Sequence, residues 1–340
     1  TTFEVMEENT SYGKDKNNVY YLGEKLKGAD AKFFEIILEP NNLVQMYSKD
    51  RNSVFIGGRK IKEADLKTFE RLSVTDYYSK DKNNLYYQEV KIDKIDNKNL
   101  KILYSDGVDV VKNGNKIFAE GKKLNIKSPE TFEIILSKYY NVPNLIYGKD
   151  DKNVYVISKS TKFDETYSTK IIKNADVNSF EVMENSMYTK DKNNIYFTRD
   201  NIIKLEGADK DSFVIQENDN DFSYDKNNVY FMGKKINGIN SDEFRIINLN
   251  NKNESFYFLT DNKNLYKLIN IFDEDSGKIV KTKLVTIETP KVDTKSFGVI
   301  KKDSDTYYRD KNTVYYYDAD FGKELKKLEA ADSNSFVSLE

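Results

Sequence analysis

The chain of 340 residues contains no cysteine and no histidine. Without cysteine there is no disulfide framework, no thiol nucleophile and no Cys/His zinc site. Without histidine, the side chain that titrates near neutrality is missing. Ser-His-Asp, Cys-His and His-metal mechanisms are excluded together, and acid–base chemistry would need a perturbed carboxylate, lysine or tyrosine. No run of about 18 apolar residues exists, so nothing spans a membrane as a helix. Charge of one sign is lacking too, with 54 Lys+Arg against 56 Asp+Glu. Neither a basic field for nucleic acid nor an acidic tail is present, and nucleic acid is not expected as a partner.

Hydrophobic residues make up 38% of the chain and charged residues 32%, but 25 Tyr and 20 Phe are too many rings for a disordered chain. The core is therefore expected to be built largely from aromatic side chains.

The order along the chain is repetitive. An Asp recurs at Asp15, Asp50, Asp81, Asp150, Asp191, Asp225, Asp261 and Asp310, with Asn113 in the fourth copy. Four residues later comes an aliphatic residue (Val19, Val54, Leu85, Ile117, Val154, Ile195, Val229, Leu265, Val314), and then an aromatic one (Tyr20, Phe55, Tyr86, Phe118, Tyr155, Tyr196, Tyr230, Tyr266, Tyr315). Adjacent strand residues point to opposite faces, so both faces of this strand are expected to be covered. The string Asp15-Lys16-Asn17-Asn18 reads as a hairpin turn. Its Asp bonds nearby backbone, and its Asn (Asn18, Asn84, Asn153, Asn194, Asn228, Asn264) is expected in a left-handed conformation. A third element recurs as Asp-x-x-x-Phe, at Asp30, Asp65, Asp176, Asp209, Asp293 and Asp332, often with Ser or Thr before the Phe. It reads as a capped turn feeding a short strand. The expected fold is all-β, a single array over 1–340 of about nine three-stranded hairpin units. An open solenoid or superhelix is favoured, with a closed propeller-like ring as the alternative.

The recurring Asp-Lys-Asn-Asn-Val-Tyr-Tyr string, first met at Asp15 to Tyr21, resembles the DKNYY repeat family of bacterial proteins. The resemblance covers essentially the whole chain. It implies a bacterial, often envelope-associated protein without an established activity, and carries no catalytic residues to this sequence. The fourth copy, Asn113-Gly114-Asn115-Lys116, departs from the pattern, and a different turn is expected there.

Candidate sites are few. The turn Asp residues lack the alternating ligands, central Gly and terminal Glu of a calcium loop, so they read as turn-stabilising, and no metal or cofactor is expected. The position after the repeated aromatic varies, as Tyr21, Ile56, Tyr87, Ala119, Val156, Phe197, Phe231, Lys267 and Tyr316. That looseness marks Tyr21, Tyr87, Phe197, Phe231 and Tyr316 as a candidate ligand surface. Two insertions, 156–172 and 267–290, read as extended hairpins, and insertions in repeat proteins project from one face that often binds. The second carries the acidic tip Asp273, Glu274 and Asp275.

The expected function is non-enzymatic: a binding or adhesion module, or interaction scaffold, meeting protein or glycan at the bacterial cell surface. The alternatives are a carbohydrate-active enzyme using a carboxylate pair and a structural spacer. The chain opens inside a repeat element, Phe3-Glu4-Val5, so a trimmed signal and a location in the envelope or outside the cell are expected.

Overall fold

A computed structural model describes residues 3–7, 11–37, 47–72, 75, 77–135, 145–159, 166–184, 186–199, 201–217, 219–247, 256–272, 279–288, 290–301, 304–317 and 324–336. The described residues form nine antiparallel sheets of four strands each, with no helix and no sheet closed into a barrel. In the first unit the strands are Glu4–Val5, Tyr12–Lys14, Val19–Tyr21 and Glu24–Lys25, hydrogen-bonded in that order. The hairpin around each Asp is thus the centre of its sheet. The fourth strand occupies the Gly/Lys-rich stretch that sequence reading leaves as a connection. It follows a two-residue turn, Leu22-Gly23, with both residues at positive φ (49° and 84°), as a type I′ hairpin requires. Packing groups the chain into two compact units, Thr1–Asn178 and Ser179–Glu340.

The strict aliphatic–aromatic pair has a direct packing cause. The aliphatic residue of one repeat lies in the same core cluster as the aromatic residue of the next. Val19 shares a cluster with Phe55, Val54 with Tyr86, Leu85 with Phe118 and Ile117 with Tyr155. In the second compact unit Ile195 is grouped with Tyr230, Val229 with Tyr266 and Leu265 with Tyr315. Within each unit, successive repeats bury apolar side chains against one another, as a stacked array demands.

The Asp turn has a different geometry from the left-handed Asn expected of it. None of the turn Asn residues is among the described residues at positive φ. In the seventh repeat, Asp225 Oδ1 instead accepts the amides of both Asn227 (2.7 Å) and Asn228 (2.8 Å), which closes the turn in an ordinary conformation. The fourth copy does differ: Asn113 pairs directly with Lys116 across a two-residue turn, Gly114-Asn115.

The second carboxylate oxygen of the Asp reaches outside the turn. Asp225 Oδ2 accepts the Tyr230 hydroxyl (2.9 Å) and the Asp209 amide (3.0 Å), and Asp209 sits in the connector from the preceding sheet. The same bond runs from Asp30 to Asp50, Asp65 to Asp81, Ser128 to Asp150, Asn240 to Asp261 and Asp293 to Asp310. The connector answers in kind. Ser212 Oγ donates to Asp209 Oδ1 (2.8 Å) and accepts the Lys226 amide (3.1 Å), while Lys226 Nζ lies 2.7 Å from Asp209 Oδ2. The connector Asp-x-x-Ser and the turn Asp-Lys-x-Asn are two halves of one bonded node, and the connector closes on its own Asp carbonyl, as where Asp293 accepts the Phe297 amide (3.0 Å).

The node sets the pH dependence of folding. The Lys226 and Lys311 ammonium groups, helped by Ser212 and Ser296, hold Asp209 and Asp293 at about 2. At Asp81, Asp225 and Asp261 burial opposes ionisation, but the amides and hydroxyls around each carboxylate bring it below the usual range. Folded values below unfolded ones mean that this stability is complete above about pH 4 and lost as pH falls further. The buried tyrosines shift the other way: burial pushes Tyr155 and Tyr167 up to about 12. Their contribution is complete below about pH 10 and lost above it. With no His and no Cys between these limits, the melting temperature is expected to be flat from about pH 5 to 9 and to fall on both sides. A sigmoidal step inside that plateau would contradict this assignment.

Candidate functional site

The turn carboxylates are occupied by the node, and no group of three or more metal-ligating side chains occurs among the described residues. The loosely specified position after each aromatic is not an exposed surface. Ile56, Ala119, Val156, Phe197 and Phe231 are buried, and Tyr21, Tyr87 and Tyr316 are half-buried. The reason is that this side chain lies over the type I′ turn of the next repeat. A Cβ placed on Gly58 would meet the Tyr21 ring at 2.5 Å, one on Gly121 the Tyr87 ring at 2.6 Å, and one on Gly233 would meet Phe197 at 2.5 Å. The Gly58 amide donates to the Tyr12 hydroxyl (2.9 Å) and the Gly121 amide to the Tyr78 hydroxyl (2.8 Å), so each such turn is held from two sides. Three of the large rings, Tyr21, Tyr87 and Phe197, meet a glycine of the next repeat's turn, whereas Phe231 packs on Phe222 and Tyr257. In the ninth repeat Tyr316 packs on Tyr307, ring centroids 5.6 Å apart. The acidic tip Asp273, Glu274 and Asp275 lies outside the described residues.

The eighth repeat breaks the pattern in two ways. Its looser position is a lysine, Lys267, only 9% exposed, with Nζ 4.6 Å from the Phe256 ring centroid and 4.7 Å from that of Tyr317. Lys267 Nζ also donates to the Tyr317 hydroxyl. A buried ammonium between two ring faces is stabilised by the ring quadrupoles and by that hydrogen bond. In addition, the insertion lengthens the outer hairpin. Its third and fourth strands are Leu265–Phe272 and Ile279–Ile287, of 8 and 9 residues, where the first repeat has 3 and 2.

A cleft flanks this hairpin on each side. The larger, about 710 Å³, lies towards the ninth repeat, with Lys267, Ile269 and Tyr317 in its wall and Glu288 and Glu324 exposed at its edge. The smaller, about 100 Å³, lies towards the sixth and seventh repeats and is lined by Phe197, Ile203, Phe231 and Met232 together with Ile279 and Thr282. Phe197 and Phe231, singled out from sequence as ligand surface, thus contribute to a cleft wall although both are buried. Tyr21 and Tyr87 lie in the other compact unit and Tyr316 in neither cleft. Lys267 belongs to the same variable series, and its being the one charged member was the available signal. What sequence could not supply is that a hairpin from one repeat overhangs its neighbours on both faces.

No curated protein and no solved structure matches the chain. A model of the DKNYY family matches residues 1–58, 47–200 and 188–340. With nine four-stranded repeats and matches running from end to end, the chain belongs to the DKNYY family.

Proposed function

We propose that this chain is a non-enzymatic binding module of the bacterial cell envelope, and that its ligand surface is the pair of clefts flanking the long hairpin of the eighth repeat. The observation that carries the reading is the overhang. Strands Leu265–Phe272 and Ile279–Ile287 are longer than the third and fourth strands of any other repeat, and a cleft lies on either side of them. A concave, mostly apolar site with a few polar groups is the usual form of a recognition site. Envelope placement rests on the family resemblance.

The test compares the whole chain with a variant whose hairpin is shortened by replacing residues 270–282 with a two-residue Asn-Gly turn. Both are titrated against a panel of envelope polysaccharides, peptidoglycan fragments and envelope peptides. The reading expects saturable binding by the native chain, at least about tenfold weaker binding by the shortened one at unchanged melting temperature, and no release of new reducing ends or amines. Equal binding by both chains, no binding at all, or turnover of a ligand would overturn it.

A further inference from the structure

The pair Asn-Gly occurs twice in the chain, at Asn113-Gly114 and at Asn237-Gly238. It is the dipeptide most prone to cyclise, because glycine has no Cβ to hinder its own amide nitrogen from reaching the Asn side chain. The fold treats the two pairs in opposite ways.

Asn113 is 3% exposed. Its Oδ1 accepts the Asp96 amide, and its Nδ2 donates to Asp93 Oδ2 and to the Lys94 carbonyl, all at 2.8 Å. Both side-chain donors are thereby used. The nitrogen that would attack is engaged as well, since the Gly114 amide donates to the Asn99 carbonyl (3.3 Å). Cyclisation there requires these bonds to open together.

Asn237 and Gly238 are both exposed, in the turn that follows strand Lys234–Ile236 and leads to the eighth repeat. Gly238 has a φ of 91°, and a Cβ built on it meets nothing within 4 Å, so the turn stands open to water. Among the described residues no hydrogen bond holds the Asn237 side chain. Other repeats place a residue that cannot cyclise there, as at Lys27 and Lys62.

The residues just after the turn belong to the node of the eighth repeat. The Gly238 carbonyl accepts from the Tyr266 hydroxyl (3.0 Å), and the Asn240 amide donates to Asp261 Oδ2 (3.1 Å). Ile239 between them is buried in the cluster of Phe231 and Leu268. This stretch has one register with the Asp261 turn, and an extra main-chain atom ahead of it would break that register.

We propose that Asn237 is a site of spontaneous modification whose product releases the connector from Asp261. The Gly238 nitrogen attacks Asn237 Cγ. The N–Cγ bond forms, the Cγ–Nδ2 bond breaks, and ammonia leaves with the proton that Gly238 gives up. Water then opens the cyclic imide at either carbonyl, giving aspartate or isoaspartate. In isoaspartate the main chain runs through Cβ and Cγ and is one carbon longer, so the Gly238 carbonyl and the Asn240 amide move off Tyr266 and Asp261. Asn113 does not react in the folded chain. This chemistry does not depend on what the clefts bind.

The test incubates the whole chain at mildly alkaline pH, native and in concentrated urea, and follows both sites by peptide mass spectrometry with isoaspartate detection. In the native chain Asn237 is expected to convert at least about tenfold faster than Asn113, and in urea the two should convert alike, because only folding separates them. In native chain enriched in isoaspartate 237, hydrogen exchange of the Asn240 amide should be at least about tenfold faster than in fresh protein. Fresh N237D, which has the new charge on an unaltered main chain, should exchange there as the native chain does. N237K should abolish conversion at that site with an unchanged melting temperature. No conversion at Asn237, conversion of Asn113 at an equal rate in the native chain, or unchanged Asn240 exchange in the isoaspartate form would overturn the proposal.

Discussion

Replacing Asp225 with alanine should lower the stability of the Ser179–Glu340 unit by about 3–5 kcal/mol, a fall of roughly 10 °C in melting temperature. The carboxylate is 1% exposed and accepts from five groups: the backbone amides of Asn227, Asn228 and Asp209, the side-chain amide of Asn228 and the Tyr230 hydroxyl. Alanine leaves all five without that partner, in a place from which water is largely excluded. The fourth repeat indicates how the loss can be compensated. There Asn113 stands in for Asp: its Oδ1 accepts the Asp96 amide (2.8 Å) and its Nδ2 donates to Asp93 and to the Lys94 carbonyl (both 2.8 Å). The aromatic that follows is Phe118, which has no hydroxyl to place. At position 225 an asparagine would meet Tyr230 without an equivalent of Asp93. Asp225→Asn should therefore cost about 2 kcal/mol alone, and adding Tyr230→Phe should cost about 1 kcal/mol less in that background than in the native chain. Thermal unfolding of the four proteins of this cycle, followed by circular dichroism, measures the coupling. Additive losses would mean that the carboxylate and the hydroxyl act separately.

Gly121→Ala should cost about 2–4 kcal/mol, whereas the same change at Gly23 should cost about 1. Both glycines hold a positive φ, 74° and 84°, in type I′ turns, so the conformational penalty is common to the two. They differ in what a Cβ would meet. At Gly23 nothing lies within 4 Å, but at Gly121 the Tyr87 ring stands at 2.6 Å. That ring is fixed from below by Tyr78, centroids 5.0 Å apart, and its hydroxyl is bonded to the Glu120 carboxylate, so it cannot swing aside. The excess at Gly121 reports the contact between successive repeats, and Tyr87→Ala should remove most of it. Equal penalties at the two glycines would mean that the ring yields and that the contact does not lock the repeats together.

These two experiments also mark how much of the molecule can be read from its sequence. The hairpin around each Asp, its neighbouring strands and the covered faces follow from local spacing, because a period-two strand between turn residues has few alternatives. The fourth strand escaped because Glu24-Lys25 is polar and only two residues long, and its cue was the following of Tyr21 by Leu22-Gly23 rather than any hydrophobic pattern. The Asn residues were assigned to a left-handed position on their intrinsic tolerance for it. The Asp side chain removed the need, and the positive φ moved to the next turn. The variable position is half-buried at Tyr21, Tyr87 and Tyr316 and buried at Phe197 and Phe231, which spacing within one repeat could not tell apart. Variation between repeats there reflects which neighbour each ring meets, a pairing of Tyr21 with Gly58 or Phe197 with Gly233 that lies about 36 residues along the chain. The insertion 267–290 marks the long hairpin, but the two clefts depend on how far the sixth, seventh and ninth repeats extend beside it.

The account turns on the connector being held by the Asp of the following turn. Amide hydrogen exchange of the native chain at single-residue resolution tests this most directly. The amides of Asp65, Asp209 and Asp293, which lie outside any strand, are predicted to exchange as slowly as those of the central strands, and in Asp225→Asn the Asp209 amide alone of the three is predicted to speed up by at least about tenfold. Exchange of these amides at the rate of unprotected, solvent-exposed amides would contradict it.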